Sequence, residues 1–269
     1  MRIDEFHAQL PRAFHAWGTP DARPVHGRFA ELTRSLRCLS AAGTLRLLDL
    51  AVGLLEPGEI HCEVGSFRGC TLAGALTGNP RARALALEDF SLFDPDGAGR
   101  AELERNLERL GVRARVDLPG VSFERHFLES APAAHPPIGV YFYDAAHDHR
   151  SQLLGLLLAA PFLADRALLV VDDANWSAPR QAAADFCACH PEARLTLSLP
   201  TPAVDHPSFW NGLLVIAWDR AAADPAGRHD RLLAHGDPAF VRCLHDAGFR
   251  HEAREGRIPA GHGPEQLVT

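Results

Sequence analysis

The chain contains no lysine; its 27 basic residues are all arginine. Biased codon usage in a GC-rich genome accounts for this as well as any function does, so nothing about activity is drawn from it. Basic residues are also the minority, and the formal net charge is −7. General affinity for nucleic acid needs a basic face that releases counterions, so no such partner is expected, although a net count leaves room for a local basic strip. Long apolar runs are missing as well. The best candidate, residues 153–163, falls short of the roughly eighteen residues a membrane span needs and carries Pro161 near its end. No membrane partner is expected. The opening residues, Met1 to His7, lack the apolar stretch of a secretory signal, which makes a cytoplasmic location the default expectation. Six cysteines (Cys38, Cys62, Cys70, Cys187, Cys189 and Cys243) are scattered through the chain and are expected to be reduced rather than paired.

What is present describes a globular protein. With 269 residues, 46% hydrophobic and 23% charged, the chain can bury a substantial core without staples. Residues 1–58 read as a helical extension: residues 28–55 carry apolar positions at helical spacing, and Pro57-Gly58 stops them. From residue 59 to 219, strands alternate with helices. Strands are expected at 59–64, 83–87, near 114–118, at 138–143 and at 166–171. Helices are expected from the turn at 65–69 through Leu76, at 99–110, at 148–163 and at 178–189, with 121–130 ambiguous. Such alternation implies right-handed crossovers and a parallel sheet. The end departs from it, because the runs 195–199 and 213–218 have no helix between them and are expected to pair antiparallel at the sheet edge. Residues 220–269 are expected to form a loop, a helix at 237–247 and a tail.

The chemistry gathers at strand ends. Ile138–Tyr143 and Ala167–Val171 are apolar without alternation, as in strands covered on both faces. The first ends in Asp144-Ala145-Ala146-His147 and the second in Asp172-Asp173. Open α/β sheets bind ligands in the crevice outside these carboxyl ends. Earlier, Glu63-Val64-Gly65-Ser66-Phe67-Arg68-Gly69 turns from strand to helix, with glycines where backbone can approach a ligand. The next strand ends in Glu88-Asp89, where a carboxylate can accept hydrogen bonds from both hydroxyls of a ribose. Together these features suggest a nucleotide-type cofactor and a divalent metal sharing one sheet edge.

Over residues 59–218 this pattern resembles the class I S-adenosylmethionine-dependent methyltransferases. The likeness lies in the Glu63-x-Gly65-Ser66-x-x-Gly69 turn, the acidic end of the second strand and the late antiparallel pair; a dehydrogenase would more typically show Gly-x-Gly-x-x-Gly. The resemblance implies a Rossmann-like α/β fold, mostly parallel with a late antiparallel strand, and S-adenosylmethionine as cofactor. It also implies that Glu63, Gly65, Ser66, Phe67 and Gly69 form the cofactor turn, with Gly65, Ser66 and Phe67 beside the methionine portion. Glu88 would then hold the ribose, Asp89 or Phe90 would flank the adenine, and Ser122 and Phe123 would enclose its other side. Asp144 with Asp172 and Asp173 is similar to the metal-dependent O-methyltransferases of the catechol and antibiotic-sugar types. In such a site three carboxylates offer hard oxygens to Mg²⁺, and the ion acidifies and orients substrate hydroxyls.

His147, three residues past Asp144, is the candidate base that takes the proton of the attacking hydroxyl. His149 shares the location but is the weaker candidate. Asn175-Trp176 and Phe209-Trp210-Asn211-Gly212 can wall an acceptor pocket or simply cover the sheet edge. Cys187-Ala188-Cys189-His190 is expected to be a packed helix end, because neighbours at i and i+2 do not face each other on a helix. The expectation is an Mg²⁺-assisted methyltransferase acting on a small-molecule hydroxyl, with Asp144 and His147 as catalytic residues and homo-oligomerisation left open. The alternatives are metal-independent N- or C-methylation and a non-catalytic cofactor-binding module.

Overall fold

The computed structural model describes residues 1–222 apart from 37, 92, 93 and 95. The expected helix at 237–247, the tail and Cys243 lie outside the described residues. The N-terminal region contains α1 (Ile3–Ala13), a small antiparallel pair of β1 (Phe14–His15) and β2 (Arg23–Pro24), α2 (Arg28–Ser35) and α3 (Ala42–Val52). The core follows with β3 (Ile60–Val64), α4 (Cys70–Thr77), β4 (Ala84–Leu87), α5 (Gly99–Arg109), β5 (Val116–Asp117) and α6 (Phe123–Glu129). It continues through β6 (Ile138–Tyr143), α7 (His149–Ala159), β7 (Leu163–Val171), α8 (Ser177–Cys189), β8 (Ala193–Leu199) and β9 (Leu213–Asp219).

Seven strands form one sheet in the order β5-β4-β3-β6-β7-β9-β8, and only β9 runs against its neighbours. Every residue of β3, β4 and β6 is buried, which is why these runs show no polar alternation. One apolar cluster lies on the side of α1, α3, α4 and α5, and a second joins α6, α7 and α8 to the opposite face. The α7 leucines Leu153, Leu154, Leu156, Leu157 and Leu158 are all buried in that second cluster. From β3 the chain winds outward to β4 and β5, then returns to β6 on the other side of β3. The strand order therefore reverses between β3 and β6, the position where open α/β sheets open a ligand crevice.

Two expectations are corrected here. The helical spacing at 28–55 is not one helix. Leu36 turns extended, helix resumes only after Ala41, and the break separates α2 from α3. The break also carries Cys38 to the first residue of α4, so Cys38 and Cys70, expected to be reduced, form a disulfide with Cα atoms 5.5 Å apart. A sequence separation of 32 hides this pairing. It arises because Phe29, Leu32 and Leu36 pack with Leu45, Cys70 and Ala73 in a third apolar cluster. Cys62, Cys187 and Cys189 are free thiols.

Candidate active site

Strand register assembles the site. Leu87, Val64, Tyr143 and Val171 are paired in succession across β4, β3, β6 and β7. The residues that follow them, Glu88, Gly65, Asp144 and Asp172, therefore line one edge of the sheet at its carboxyl end. Sequence reasoning had these residues at strand ends; the register makes them neighbours.

At the turn after β3, Gly65 and Gly69 have φ of 82° and 79°, and Phe67 between them is also left-handed at 46°. A Cβ on Gly65 would overlap the main-chain carbonyl of Asp144, so this glycine is required first by the approach of two backbones. The turn is fastened from outside. Glu88 accepts hydrogen bonds from the Phe67 N–H on one oxygen and the Phe90 N–H on the other, both at 2.9 Å. Arg68 pairs with Glu102 at 2.6 Å, and its carbonyl accepts from Asn106. Burial raises the Glu88 carboxyl above its usual range, against the lowering effect of those two N–H groups. Ser66 Oγ is buried without a hydrogen-bond partner among the described residues. Such an orphaned hydroxyl calls for an explanation, and an absent ligand supplies one.

Other expected cofactor residues divide by position. Glu63 is fully buried beneath the turn, where it accepts from Thr71 at 2.8 Å and lies 3.4 Å from His61. Asp89 is exposed and accepts from the Ser91 N–H. Ser122 caps α6, accepting from the Arg125 N–H, and Phe123 packs edge-on to Tyr143 with centroids 5.6 Å apart.

Beyond β6 and β7, Asp172 and Asp173 are buried and Asp144 is partly buried. The Asp144 and Asp172 carboxyls meet at hydrogen-bonding distance. Burial, then the charges of Asp172, Asp173 and Glu63, push Asp144 well above the usual carboxylate range; burial and Asp173 do the same to Asp172. Asp173, with φ of 56°, turns away from this pair. Its Oδ1 accepts from Asn211 Nδ2 at 2.9 Å, and its Oδ2 lies 2.9 Å from His147 Nδ1. Among the described residues, no group of three or more His, Cys, Asp or Glu side chains is arranged to hold a metal ion.

His147 packs edge-on to Trp176 at 5.1 Å. Asn175 fastens the opposite loop by donating to the Thr201 carbonyl and hydroxyl, while its own backbone N–H reaches the Asn211 carbonyl. Phe209 is buried against Phe14, whereas Trp210 sits at φ of 54° in the loop. His149 is drawn off to Asp185 on α8 at 2.7 Å. His190 stacks on Phe186 at the end of α8, as expected of a packed helix end. In the sequence Asn211 reads only as an amide of a possible pocket wall, and nothing in its neighbourhood marks it as the partner of Asp173.

Residues 62–174 match the methyltransferase domain family. No curated protein matches the chain in sequence. Among solved structures, the cofactor-bound Rv0187 from MTB is 19% identical, with a TM-score of 0.54 over 81% of this chain and 96% of that one. The O-methyltransferase TomG from Streptomyces achromogenes, involved in tomaymycin synthesis and solved with SAM, is 15% identical, with a TM-score of 0.55 over 81% and 96%. A Corynebacterium glutamicum protein is 14% identical with a TM-score of 0.55 over 81% and 97%. At these identities the likeness speaks for the fold, and no helix of the described residues is long and apolar enough to cross a membrane.

Proposed function

From the match of residues 62–174 to the methyltransferase domain family, we propose that the chain is a class I methyltransferase that transfers the methyl group of S-adenosylmethionine to a hydroxyl of a small molecule. The observation that supports this reading is the contact of Gly65 with the Asp144 carbonyl, which brings the turn we assign to the cofactor up against the strand end that carries the acidic cluster. TomG, an O-methyltransferase of similar fold, supports oxygen as the methylated atom.

In this reading the turn 65–69 and the Ser66 hydroxyl border the methionine portion, and Glu88 accepts from the ribose hydroxyls. Asp89, Ser122 and Phe123 flank the adenine. The acceptor oxygen attacks the sulfonium methyl carbon, the carbon–sulfur bond breaks, and neutral S-adenosylhomocysteine leaves. His147 takes the hydroxyl proton at the nitrogen that does not face Asp173. Placement of acceptor and methyl group in line supplies much of the rate.

The acidic pair also bears on a metal. Asp144 and Asp172 are hard oxygen donors set beside each other, each raising the cost of charging the site, and a divalent cation would offset that repulsion. Bound there, Mg²⁺ would acidify and orient acceptor hydroxyls. Asp173 has both oxygens engaged by Asn211 and His147, so the pair rather than the trio fits the ion. Calorimetry with S-adenosylhomocysteine, then label transfer from methyl-labelled cofactor to a panel of hydroxylated acceptors in Mg²⁺ or EDTA, tests the reading. Absence of S-adenosylhomocysteine binding would sink it, and equal transfer in EDTA would remove the metal alone.

A further inference from the structure

With residues 65–69 read as the cofactor turn, a reading on which this step rests, we propose that the Cys38–Cys70 disulfide is a redox switch whose reduction lowers the affinity for S-adenosylmethionine. Cys70 is the first residue of α4 and directly follows Gly69, the left-handed residue at φ of 79° that closes the turn. The Gly69 N–H donates to the Ser66 carbonyl at 2.7 Å, so the turn and the start of the helix share one backbone geometry. A displacement of Cys70 is thereby carried to Ser66, whose buried hydroxyl has no partner among the described residues.

The turn is braced from two sides. On one side α5 holds it, through the Arg68–Glu102 pair and the bond from Asn106 to the Arg68 carbonyl. On the other stands Cys38, in the connection between α2 and α3. Among the described residues, Cys38, Leu39 and Ser40 make no hydrogen bond; Leu39 is 49% exposed, and the Ser40 hydroxyl is buried without a partner. The disulfide is thus the strongest tie on this segment. Just beyond it α3 begins, where a Cβ on Gly43 would overlap the Ser208 carbonyl in the loop that carries Asn211. Residues 38–43 therefore link the turn to that loop, and one covalent bond fixes the near end of the link.

The bond is also placed to be opened. Cys38 is half-buried whereas Cys70 is 5% exposed, so a dithiol reductant reaches the Cys38 sulfur first. Its thiolate attacks there, the sulfur–sulfur bond breaks, and Cys70 leaves as a thiolate, a form that the N-terminus of a helix favours. The second thiol of the reductant then displaces Cys38 from the mixed disulfide. The reductant ends as a cyclic disulfide, and both cysteines take up a proton to become thiols. Residues 38–40 are then held by packing alone, and cofactor binding has to meet the entropy of ordering them.

Calorimetry with S-adenosylhomocysteine on the full-length chain, oxidised and after dithiothreitol, tests the switch at a temperature where circular dichroism shows both forms folded. Reduction should weaken binding by about tenfold or more, a coupling of the size usual between linked sites. Cys38→Ser should match the reduced parent, and Cys38→Ser/Cys70→Ser should not respond to dithiothreitol. Linkage makes the effect reciprocal. Saturating S-adenosylhomocysteine should raise the dithiothreitol needed to open half of the disulfide by the same factor, read by thiol alkylation and mass spectrometry. Equal affinities of the two forms, an unmoved midpoint, or a reduced chain that is folded at no temperature would overturn the switch, the last by making the bond a staple. Oxidised protein that does not bind S-adenosylhomocysteine would remove the methyltransferase reading and the switch with it.

Discussion

Gly65 and Asp144 meet backbone to backbone at the point where the strand order reverses, so closely that a side chain on Gly65 would occupy the Asp144 carbonyl. The turn after β3 and the acidic cluster thereby form one edge rather than two separate features.

Gly65 and Gly69 should consequently respond differently to substitution. Both have positive φ, which costs a residue with a Cβ about 1–2 kcal/mol. Gly69→Ala meets the Leu107 and Leu103 side chains at 3.4 and 3.5 Å, ordinary contact distances, and should lose little beyond that. Gly65→Ala adds overlap with backbone that cannot move aside and should lose at least about 3 kcal/mol, together with S-adenosylhomocysteine binding. Urea denaturation of the two variants checks this, and equal losses would show that the Asp144 contact does not matter.

Glu88 ties the turn to β4 through two backbone N–H groups and has further lone pairs with which to accept from the proposed ribose. Glu88→Ala should weaken S-adenosylhomocysteine by roughly 10- to 150-fold, the loss of about 1.5–3 kcal/mol in charge-assisted hydrogen bonds. Calorimetry reads the affinity, and the ligand-free melting temperature reports the loop ties separately. An unchanged dissociation constant would end the ribose assignment.

Much of the fold was legible because the central strands are buried on both faces. Ile138–Tyr143 shows its boundaries in the sequence, and Glu88, Asp144 and Asp172 announce the ends of their strands by an abrupt change from apolar to acidic. Features set by tertiary packing were not legible. The break at 36–41 contains no glycine or proline, so residues 28–55 read as one helix. The Cys38–Cys70 pairing depends on that break. Val121–Ser130 was ambiguous, and the Ser122 cap and two buried phenylalanines resolve it as α6. At the site, the residue types and their edge could be read, but the division of labour could not. Asp172 and Asp173 are adjacent in sequence, yet the Asp173 carboxylate reaches Asn211 while that of Asp172 lies beside Asp144, a division no pattern in the sequence announces.

The disulfide makes a stability prediction of its own. Closing a loop across a separation of 32 residues should contribute roughly 3–4 kcal/mol by restricting the unfolded chain. Cys38→Ser/Cys70→Ser should lose about that much, and added dithiothreitol should lower the parent toward the variant without affecting the variant. A parent indifferent to reductant, with free thiols at both positions by mass spectrometry, would contradict the pairing.

His147→Ala should lower single-turnover methyl transfer by about 10²–10⁴, the usual range for a positioned general base, with S-adenosylhomocysteine affinity preserved. Rates within threefold of the parent at every pH would leave His147 a structural residue.

The Asp144–Asp172 pair predicts an unusual pH response for the cation-free protein. Both carboxyls are held well above the usual range by burial and by neighbouring acids. In the unfolded chain each would lose its proton near the ordinary value of roughly 4. Between that value and the raised folded one, the native state binds more protons than the unfolded state. The slope of unfolding free energy with pH is then negative: the contribution of the pair is fully present below the unfolded value and is lost as pH rises through the folded one. Melting temperature in EDTA should therefore fall from about pH 5 toward pH 8. Asp172→Asn removes one of the two charges while keeping the shape, so its melting temperature should fall less over the same range. Mg²⁺ should raise the parent more at pH 8 than at pH 5, because a cation competes with protons for the same oxygens. Parallel melting curves for parent and variant across that range, in EDTA, would mean that the buried carboxyls do not set the pH response.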